Sequence, residues 1–189
     1  ENLTRTQKLA IDDDNPIFTT GIPGSGKTVV AVYRIARLKN NSRLFTYTRM
    51  LTVAINGTVN VHLREASNKI SSIYQWFASN CHVRLGDIIH SEESVFEVLK
   101  SQEISFNEII FDEAQDLPIS LYSALNKVCN NISIGADNAQ QIFRGGSDEE
   151  ELSNIFIKNK PHELDENFRN TFEIFNFSKN FVVENERAQ

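Results

Sequence analysis

Short apolar runs alternate along the chain with segments of helical periodicity. Ile17–Thr20 is a β-rich run that ends at a glycine-rich turn, and Lys27–Leu38 then places apolar residues at the spacing of one helix face. Downstream, the apolar run Ile109–Phe111 predicts a buried central strand. This alternation of strand and helix predicts an α/β fold, with a mostly parallel central sheet covered by helices.

The remaining elements follow the same order. Further strands are predicted at Leu44–Thr48, Ile70–Ile73, Ile132–Ile134 and His162–Leu164, and further helices at Met50–Ile55, Leu121–Val128 and Thr171–Val182, with one more through Trp76. Ser147 and the acidic residues after it predict a capping box at the start of another helix. No stretch resembles a linker between domains, so the sequence predicts a single domain over residues 1–189.

The composition of the chain limits the classes of function that it can have. The chain has 189 residues, of which 40% are hydrophobic and 23% charged, so it can bury a core. A net charge of -6 argues against a surface that binds nucleic acid everywhere, although a local basic groove needs only a few Lys or Arg residues. No apolar run approaches the ~20 residues that span a membrane, so we expect no membrane partner.

The cysteines bear on the cellular compartment of the protein, and the first residue bears on whether the chain is part of a larger protein. Cys81 and Cys129 lack CxxC spacing and are expected to be buried thiols in a reducing compartment, which favours a cytoplasmic location. The chain begins with Glu1 rather than Met, so we expect it to be a piece of a larger protein.

The strongest chemical signal is the segment Gly21–Thr28, which reads GIPGSGKT and fits the pattern GxxxxGK[ST]. Glycines allow the backbone to turn tightly so that its N–H groups face phosphates, and the following helix adds its positive N-terminal end. Lys27 is expected to reach the β- and γ-phosphates of a bound nucleotide, and the Thr28 hydroxyl to bind Mg²⁺. The predicted phosphate-binding residues are Gly21, Gly24, Ser25, Gly26, Lys27 and Thr28.

A second signal is the acidic run Asp112-Glu113-Ala114-Gln115-Asp116, directly after the predicted central strand. A carboxylate at the end of such a strand, near a phosphate-binding loop, can hold Mg²⁺. Asp112 fits that role. Glu113 then stands where a base can orient or deprotonate the attacking water.

Together these motifs resemble those of the UvrD/Rep-like superfamily 1 helicases, which implies a RecA-like P-loop ATPase with a three-layer sandwich fold. LTRTQKLAI at residues 3–11 resembles the family's Q motif, which implies that Gln7 reads adenine. GADNAQQIF at residues 135–143 resembles motif III, which implies that Gln140 senses the γ-phosphate. LDENFRN at residues 164–170 resembles motif IV, which implies that Phe168 stacks on adenine and that Arg169 reaches the γ-phosphate.

Two segments match the family more loosely. FTYTR at residues 45–49 stands in the place of motif Ia, and SIYQW at residues 72–76 in the place of a Thr-Phe-His-Ser motif. The resemblance implies contacts with single-stranded nucleic acid, and aromatic residues can stack on bases. The candidate residues are Tyr47, Thr48, Arg49, Ser72, Tyr74 and Trp76, although Trp76 is also expected as a core residue.

The chain departs from the family in several places. Val29 stands where the family often has Arg, and no Trp follows Phe143, where the family has a base-stacking tryptophan. The chain ends soon after the motif IV segment, so the second RecA-like domain is expected to lie outside it. Since such helicases hydrolyse ATP between two domains, we expect this chain alone to be weak or inactive as an ATPase.

The sequence thus predicts the ATP-binding motor domain of a helicase or translocase, using ATP and Mg²⁺ to move along single-stranded nucleic acid, with DNA as the expected track. The alternative is a helicase-like switch that uses ATP binding to regulate a partner protein without unwinding. The missing motif III tryptophan and the acidic charge favour that alternative. A small-metabolite kinase explains the glycine-rich loop but leaves the other motifs unexplained.

Overall fold

A computed structural model describes residues 3–38, 41–58, 64–129, 131–137 and 145–168. Its centre is a six-stranded sheet with the order β3-β2-β4-β5-β1-β6, and every pair of neighbouring strands is parallel. The strands are β1 (Ile17–Gly21), β2 (Ser42–Thr46), β3 (Ile70–Ser72), β4 (Glu108–Phe111), β5 (Ile132–Gly135) and β6 (Lys160–Leu164).

Helices connect the strands, as parallel pairing requires. They are α1 (Arg5–Asp12), α2 (Lys27–Arg37), α3 (Arg49–Thr58), α4 (Arg64–Ser67), α5 (Ile73–Asn80), α6 (Glu92–Ser101), α7 (Ile119–Asn126) and α8 (Glu149–Ile155). None of the helices in the described ranges is both long enough and apolar enough to cross a membrane.

Alternation along the central strands divides the core between the two faces of the sheet. In β4, Ile109 and Phe111 pack into a large cluster with α5, α6 and α7, whereas Ile110 packs on the other face with residues of α2 and α3. A third cluster joins Ala10 and Ile11 of α1 to the sheet. The apolar run predicted to be a central strand therefore faces helices on both sides, as a buried parallel strand must.

The architecture confirms the predicted α/β sandwich. Most strand and helix positions agree with the sequence prediction within about two residues. Helices α1, α4 and α6 were not predicted. Polar residues dilute the apolar periodicity of α1 and α6, and α4 has only four residues. The thiols of Cys81 and Cys129 are both buried and unbridged, as expected.

The predicted capping box was wrong by one residue. Asp148 is the N-cap of α8 and exchanges hydrogen bonds with Glu151. Ser147 is instead fully buried, and its hydroxyl donates to the Leu117 carbonyl at 2.8 Å. The tertiary contact thus decides which of two adjacent capping residues starts the helix. The predicted helix Thr171–Val182 lies outside the described residues.

Candidate nucleotide site

The candidate site lies at the carboxyl ends of three adjacent strands. In the sheet order, β5 lies between β4 and β1. The glycine-rich loop follows β1, Asp112 follows β4, and Asp137 follows β5. Because all three strands are parallel, these segments meet at one edge of the sheet, which is where open α/β sheets bind their ligands.

Two glycines of the loop allow close approaches that no other residue would permit. Gly21 has φ +136, and a Cβ there would lie 2.1 Å from the Leu164 carbonyl oxygen. Gly26 has φ +91, and a Cβ there would lie 2.5 Å from Gln7 Nε2. The loop is therefore held tightly between β6 and α1, with its backbone curled over the start of α2.

Lys27 begins α2, and its side chain turns back across the loop. Its Nζ donates to the Gly21 carbonyl at 2.7 Å and to Asp137 Oδ2 at 3.2 Å. The Lys27 and Asp137 side chains are each only 7% exposed. A buried ammonium with carbonyl and carboxylate partners at the loop can exchange them for phosphate oxygens.

Thr28 and Asp112 form the pair of oxygens that the sequence predicted for Mg²⁺. The Thr28 hydroxyl donates to Asp112 Oδ2 at 2.8 Å. Burial raises the pKa of Asp112 to about 7, and the neighbouring Glu113 carboxylate adds to that rise, while the Thr28 hydroxyl and the Lys27 ammonium oppose it. A carboxylate destabilised in this way gains from a bound cation, so the donor set fits Mg²⁺.

The Ser25 hydroxyl is a further polar group of the glycine-rich loop. Its oxygen is buried and has no hydrogen-bond partner among the described residues. Because buried polar atoms gain from a hydrogen-bond partner, this hydroxyl can donate to a phosphate oxygen in the loop. The N-cap of α2 is Gly26, which offers no side chain to the helix N–H groups, and this leaves them available to an anion.

Glu113 is held in place by residues that the sequence reasoning did not select. It adopts φ +57, which is unusual for a residue with a Cβ. Gln115, only 1% exposed, donates from Nε2 to Glu113 Oε2 at 2.8 Å, and its Oε1 accepts from the Asp137 backbone N–H at 3.1 Å. Glu113, Gln115, Asp137 and Lys27 thus form one connected chain of contacts.

Asp137 and Gln115 were not predicted as site residues, although the sequence contains a signal for each. Asp137 follows a predicted strand, as Asp112 does, and carboxyl ends of neighbouring parallel strands converge. Gln115 lies within the acidic motif itself. What the sequence did not reveal is that β5 neighbours both β1 and β4.

Gln7 and Phe168 both contact the loop. Gln7 donates from Nε2 to the Ser25 carbonyl at 2.9 Å, while its Oε1 accepts from the Thr4 N–H at 3.0 Å. The Phe168 N–H donates to the Gly24 carbonyl at 3.0 Å, and the Phe168 side chain is 56% exposed. An exposed aromatic ring and a primary amide therefore flank the same loop. Gln140 and Arg169 lie outside the described residues.

The six candidate nucleic-acid residues divide into three at the edge of the sheet and three with roles in packing or capping. The rings of Tyr47 and Tyr74 meet edge to face with centroids 5.7 Å apart. Arg49, two residues after Tyr47 in the sequence, is exposed. Burial and the adjacent Tyr47 raise the pKa of Tyr74 to about 12. All three residues follow the carboxyl ends of β2 or β3, so they share the sheet edge with the candidate nucleotide site.

The other candidates have structural roles. Trp76 is 8% exposed and packs against Phe45, Phe77 and Phe106, which leaves its ring faces covered. Ser72 caps α5 by accepting from the Gln75 N–H, and the Thr48 hydroxyl accepts from the Leu51 N–H at the start of α3. These placements support packing and capping rather than base stacking.

A family profile described as an AAA domain, AAA_19, matches residues 7–145 of the chain. The chain belongs to this AAA domain family. The matched range begins at Gln7 and includes the glycine-rich loop, the acidic motif and Asp137. No curated protein matches the chain significantly.

Solved structures of Pif1 helicases share the fold. A Pif1 helicase from Candida albicans is 16% identical with a TM-score of 0.67, and 98% of this chain aligns with 46% of that chain. Pif1 from Bacteroides in complex with ADP-AlF3 and single-stranded DNA is 21% identical with a TM-score of 0.55, over 98% of this chain and 48% of that chain. Unliganded Pif1 from Bacteroides is 20% identical with a TM-score of 0.53, over 100% of this chain and 48% of that chain. The chain spans about half the length of these helicases.

Proposed function

We propose that this chain is the ATP-binding motor domain of a superfamily 1 helicase or translocase that couples ATP hydrolysis to movement on single-stranded DNA. The observation that carries the proposal is the contact of Thr28 with Asp112 beside the Lys27 ammonium, at the edge where three parallel strands end. The matched structures are Pif1 helicases, so they favour a Pif1-like parent over the UvrD/Rep assignment that the motifs suggest.

Each residue of the site has a proposed role. The loop N–H groups and Lys27 bind the phosphates, and Thr28 with Asp112 would hold Mg²⁺. Mg²⁺ neutralises charge on the phosphate oxygens when it is bound. Glu113, fixed by Gln115, orients or deprotonates the attacking water. Gln7 and Phe168 would contact the base, and Gln140 and Arg169 would reach the γ-phosphate, as the family resemblance implies for all four residues.

Contact with a single strand is proposed for the surface around Tyr47, Tyr74 and Arg49. These residues combine two aromatic rings with an exposed cation, the combination that single-strand binding surfaces use. One of the matched Pif1 structures contains single-stranded DNA.

We also propose that the protein is located in the cytoplasm.

The test begins with nucleotide binding to the 189-residue chain. Calorimetry should detect MgATP binding in the wild type, and Lys27→Ala should weaken it about 100-fold, since charge-assisted contacts with phosphate are lost. Circular dichroism checks that the variant is folded. Equal MgATP affinity in the two proteins would refute the assignment of the loop.

The alternative is a switch that binds ATP without moving on a strand. It is favoured by the absence of a tryptophan after Phe143 and by the net charge of -6. In a longer protein that carries this chain with a second RecA-like domain, single-stranded DNA should stimulate ATP hydrolysis if the motor proposal is right. A switch would hydrolyse ATP at the same rate with and without the strand.

A further inference from the structure

Away from the nucleotide site, the Arg34 guanidinium lies at the centre of a buried hydrogen-bond network. Arg34 lies on α2, two turns beyond Lys27, and is only 2% exposed. It makes five hydrogen bonds within the described residues. Nε and Nη2 donate to the two oxygens of Glu108 at 2.6 and 3.2 Å, Nη1 donates to the carbonyls of Ala10 and Asp13 at 3.2 and 2.7 Å, and Nη2 also donates to Asn15 at 2.7 Å.

The carboxylate partner is fixed as firmly as the guanidinium. Glu108 is the first residue of β4 and is 6% exposed. Its Oε1 also accepts from the Ser133 hydroxyl of β5 at 2.6 Å, and that hydroxyl accepts from the Ile17 N–H of β1 at 3.0 Å. One ion pair therefore joins α2 to the beginnings of the three strands whose other ends form the site.

The carbonyls that Arg34 binds belong to the end of α1 and to the loop after it. The last carbonyls of a helix have no partners within the helix, so they need donors from elsewhere. Arg34 supplies them at Ala10, and Arg37, which is half exposed, supplies another at Ile11. Apolar contacts of Ala10 and Ile11 with Ile17 and Val30 complete this attachment.

The other end of α1 carries Gln7, whose amide contacts Ser25 in the phosphate-binding loop. Helix α1 has eight residues and is therefore about 12 Å long. It is attached at one end to the loop and at the other to the Arg34–Glu108 pair. A shift of the anchored end would move Gln7 relative to the loop.

We propose that Arg34, oriented by Glu108, is a positioning residue that sets the place of α1 and so aligns Gln7 with the base of the bound nucleotide. This inference rests on the proposed ATP site. Arg34 would not contact the nucleotide. Its effect would be confined to recognition of the base, and the phosphate contacts of Lys27 would not depend on Arg34.

A lysine in place of Arg34 would keep the charge but could not reach all five acceptors, because its ammonium has three donors at a single point. Arg34→Lys should therefore weaken MgATP binding about tenfold. Affinity for Mg-tripolyphosphate, which has no base, should stay unchanged. The matched control is Lys127→Gln, which removes a half-exposed cation from its pair with Glu92 and should leave both affinities within about twofold.

A double-mutant cycle separates alignment from general stability. If Arg34 acts through Gln7, Arg34→Lys should have no further effect on the ratio of the two affinities in a Gln7→Ala background. A merely structural arginine would weaken both ligands in parallel, in either background. Thermal unfolding accompanies each measurement, and if Arg34→Lys does not fold, Glu108→Gln tests the same anchor from its carboxylate side.

The outcomes distinguish this inference from the proposed function. A wild type that binds neither MgATP nor Mg-tripolyphosphate overturns both. If the wild type prefers MgATP to Mg-tripolyphosphate and Arg34→Lys keeps that preference, the inference fails while the proposed ATP site stands. A parallel loss of both affinities also overturns the inference.

Discussion

Helix α2 takes part in two buried ion pairs within the described residues, and they differ in the shape of the cation and in what surrounds the pair. At its beginning, Lys27 pairs with Asp137 beside a glycine-rich loop that contains an orphaned serine hydroxyl. Two turns later, Arg34 pairs with Glu108 and uses five hydrogen bonds in a closed network. We expect the first pair to open when a ligand binds and the second to stay closed.

The difference follows from the chemistry of the two cations. Arg presents a planar fork that matches a carboxylate and several carbonyls at once, whereas Lys is a point charge on a flexible stem. A flexible ammonium can leave a carboxylate for a phosphate at little geometric cost. Variants of the two carboxylate partners test this difference.

The largest effect is expected for Glu108→Ala. Removing the carboxylate leaves the Arg34 charge buried without a counter-charge, which should lower the free energy of unfolding by about 3–5 kcal/mol. Urea denaturation measures it. The control is Glu92→Ala, which breaks the half-exposed pair with Lys127 and should cost no more than about 1 kcal/mol. Equal costs for the two variants would show that the Arg34 network is not an anchor.

A smaller effect is expected for Asp137→Asn at the site end. Lys27 keeps the carbonyls of Gly21 and Ile22 as acceptors, and the amide keeps the shape of the carboxyl group. The free energy of unfolding should fall by about 1–2 kcal/mol. A loss as large as that of Glu108→Ala would mean that the two pairs are equally structural, contrary to the comparison.

The smallest effect is a pH dependence at the anchor end. Burial raises the pKa of Asp13, but hydrogen bonds from Asn15, Lys160 and His162 outweigh it and hold that pKa well below its usual value. Because the folded pKa is depressed, Asp13 stabilises the protein above its unfolded pKa of 3.8, and this contribution is lost as the pH falls through the folded pKa.

Asp13→Asn should therefore lower the stability by less than about 1 kcal/mol at pH 6, and the gap to the wild type should shrink below about pH 4. Chemical denaturation at a series of pH values measures the gap. A gap that is constant down to pH 2 would show that the ionised carboxylate contributes nothing.

Much of the site could be predicted because its chemistry is local in sequence. Gly21–Thr28 and Asp112 are recognisable from short motifs, since a tight phosphate-binding turn and a strand-end carboxylate each need particular residues at fixed spacing. Gln7 and Phe168 were predicted by resemblance, and the structure brings both against the loop. Their contacts with a base stay predictions.

The predictions were weaker where a residue has competing uses. Trp76 was a candidate both for base stacking and for the core, and the structure places it among aromatic rings. Ser147 was predicted as a helix cap, but its hydroxyl is buried against Leu117, and Asp148 is the cap instead. Periodicity cannot resolve such choices, because both uses satisfy the same local pattern.

The sequence by itself determined the fold class, the glycine-rich loop and the acidic motif, because each depends on residues adjacent in the chain. Only the tertiary structure decided that β5 lies between β1 and β4, and hence that Asp137 pairs with Lys27. It also decided that Arg34 meets Glu108 across 74 positions of sequence. Strand order and buried pairing are set by packing over the whole core, so no local pattern encodes them.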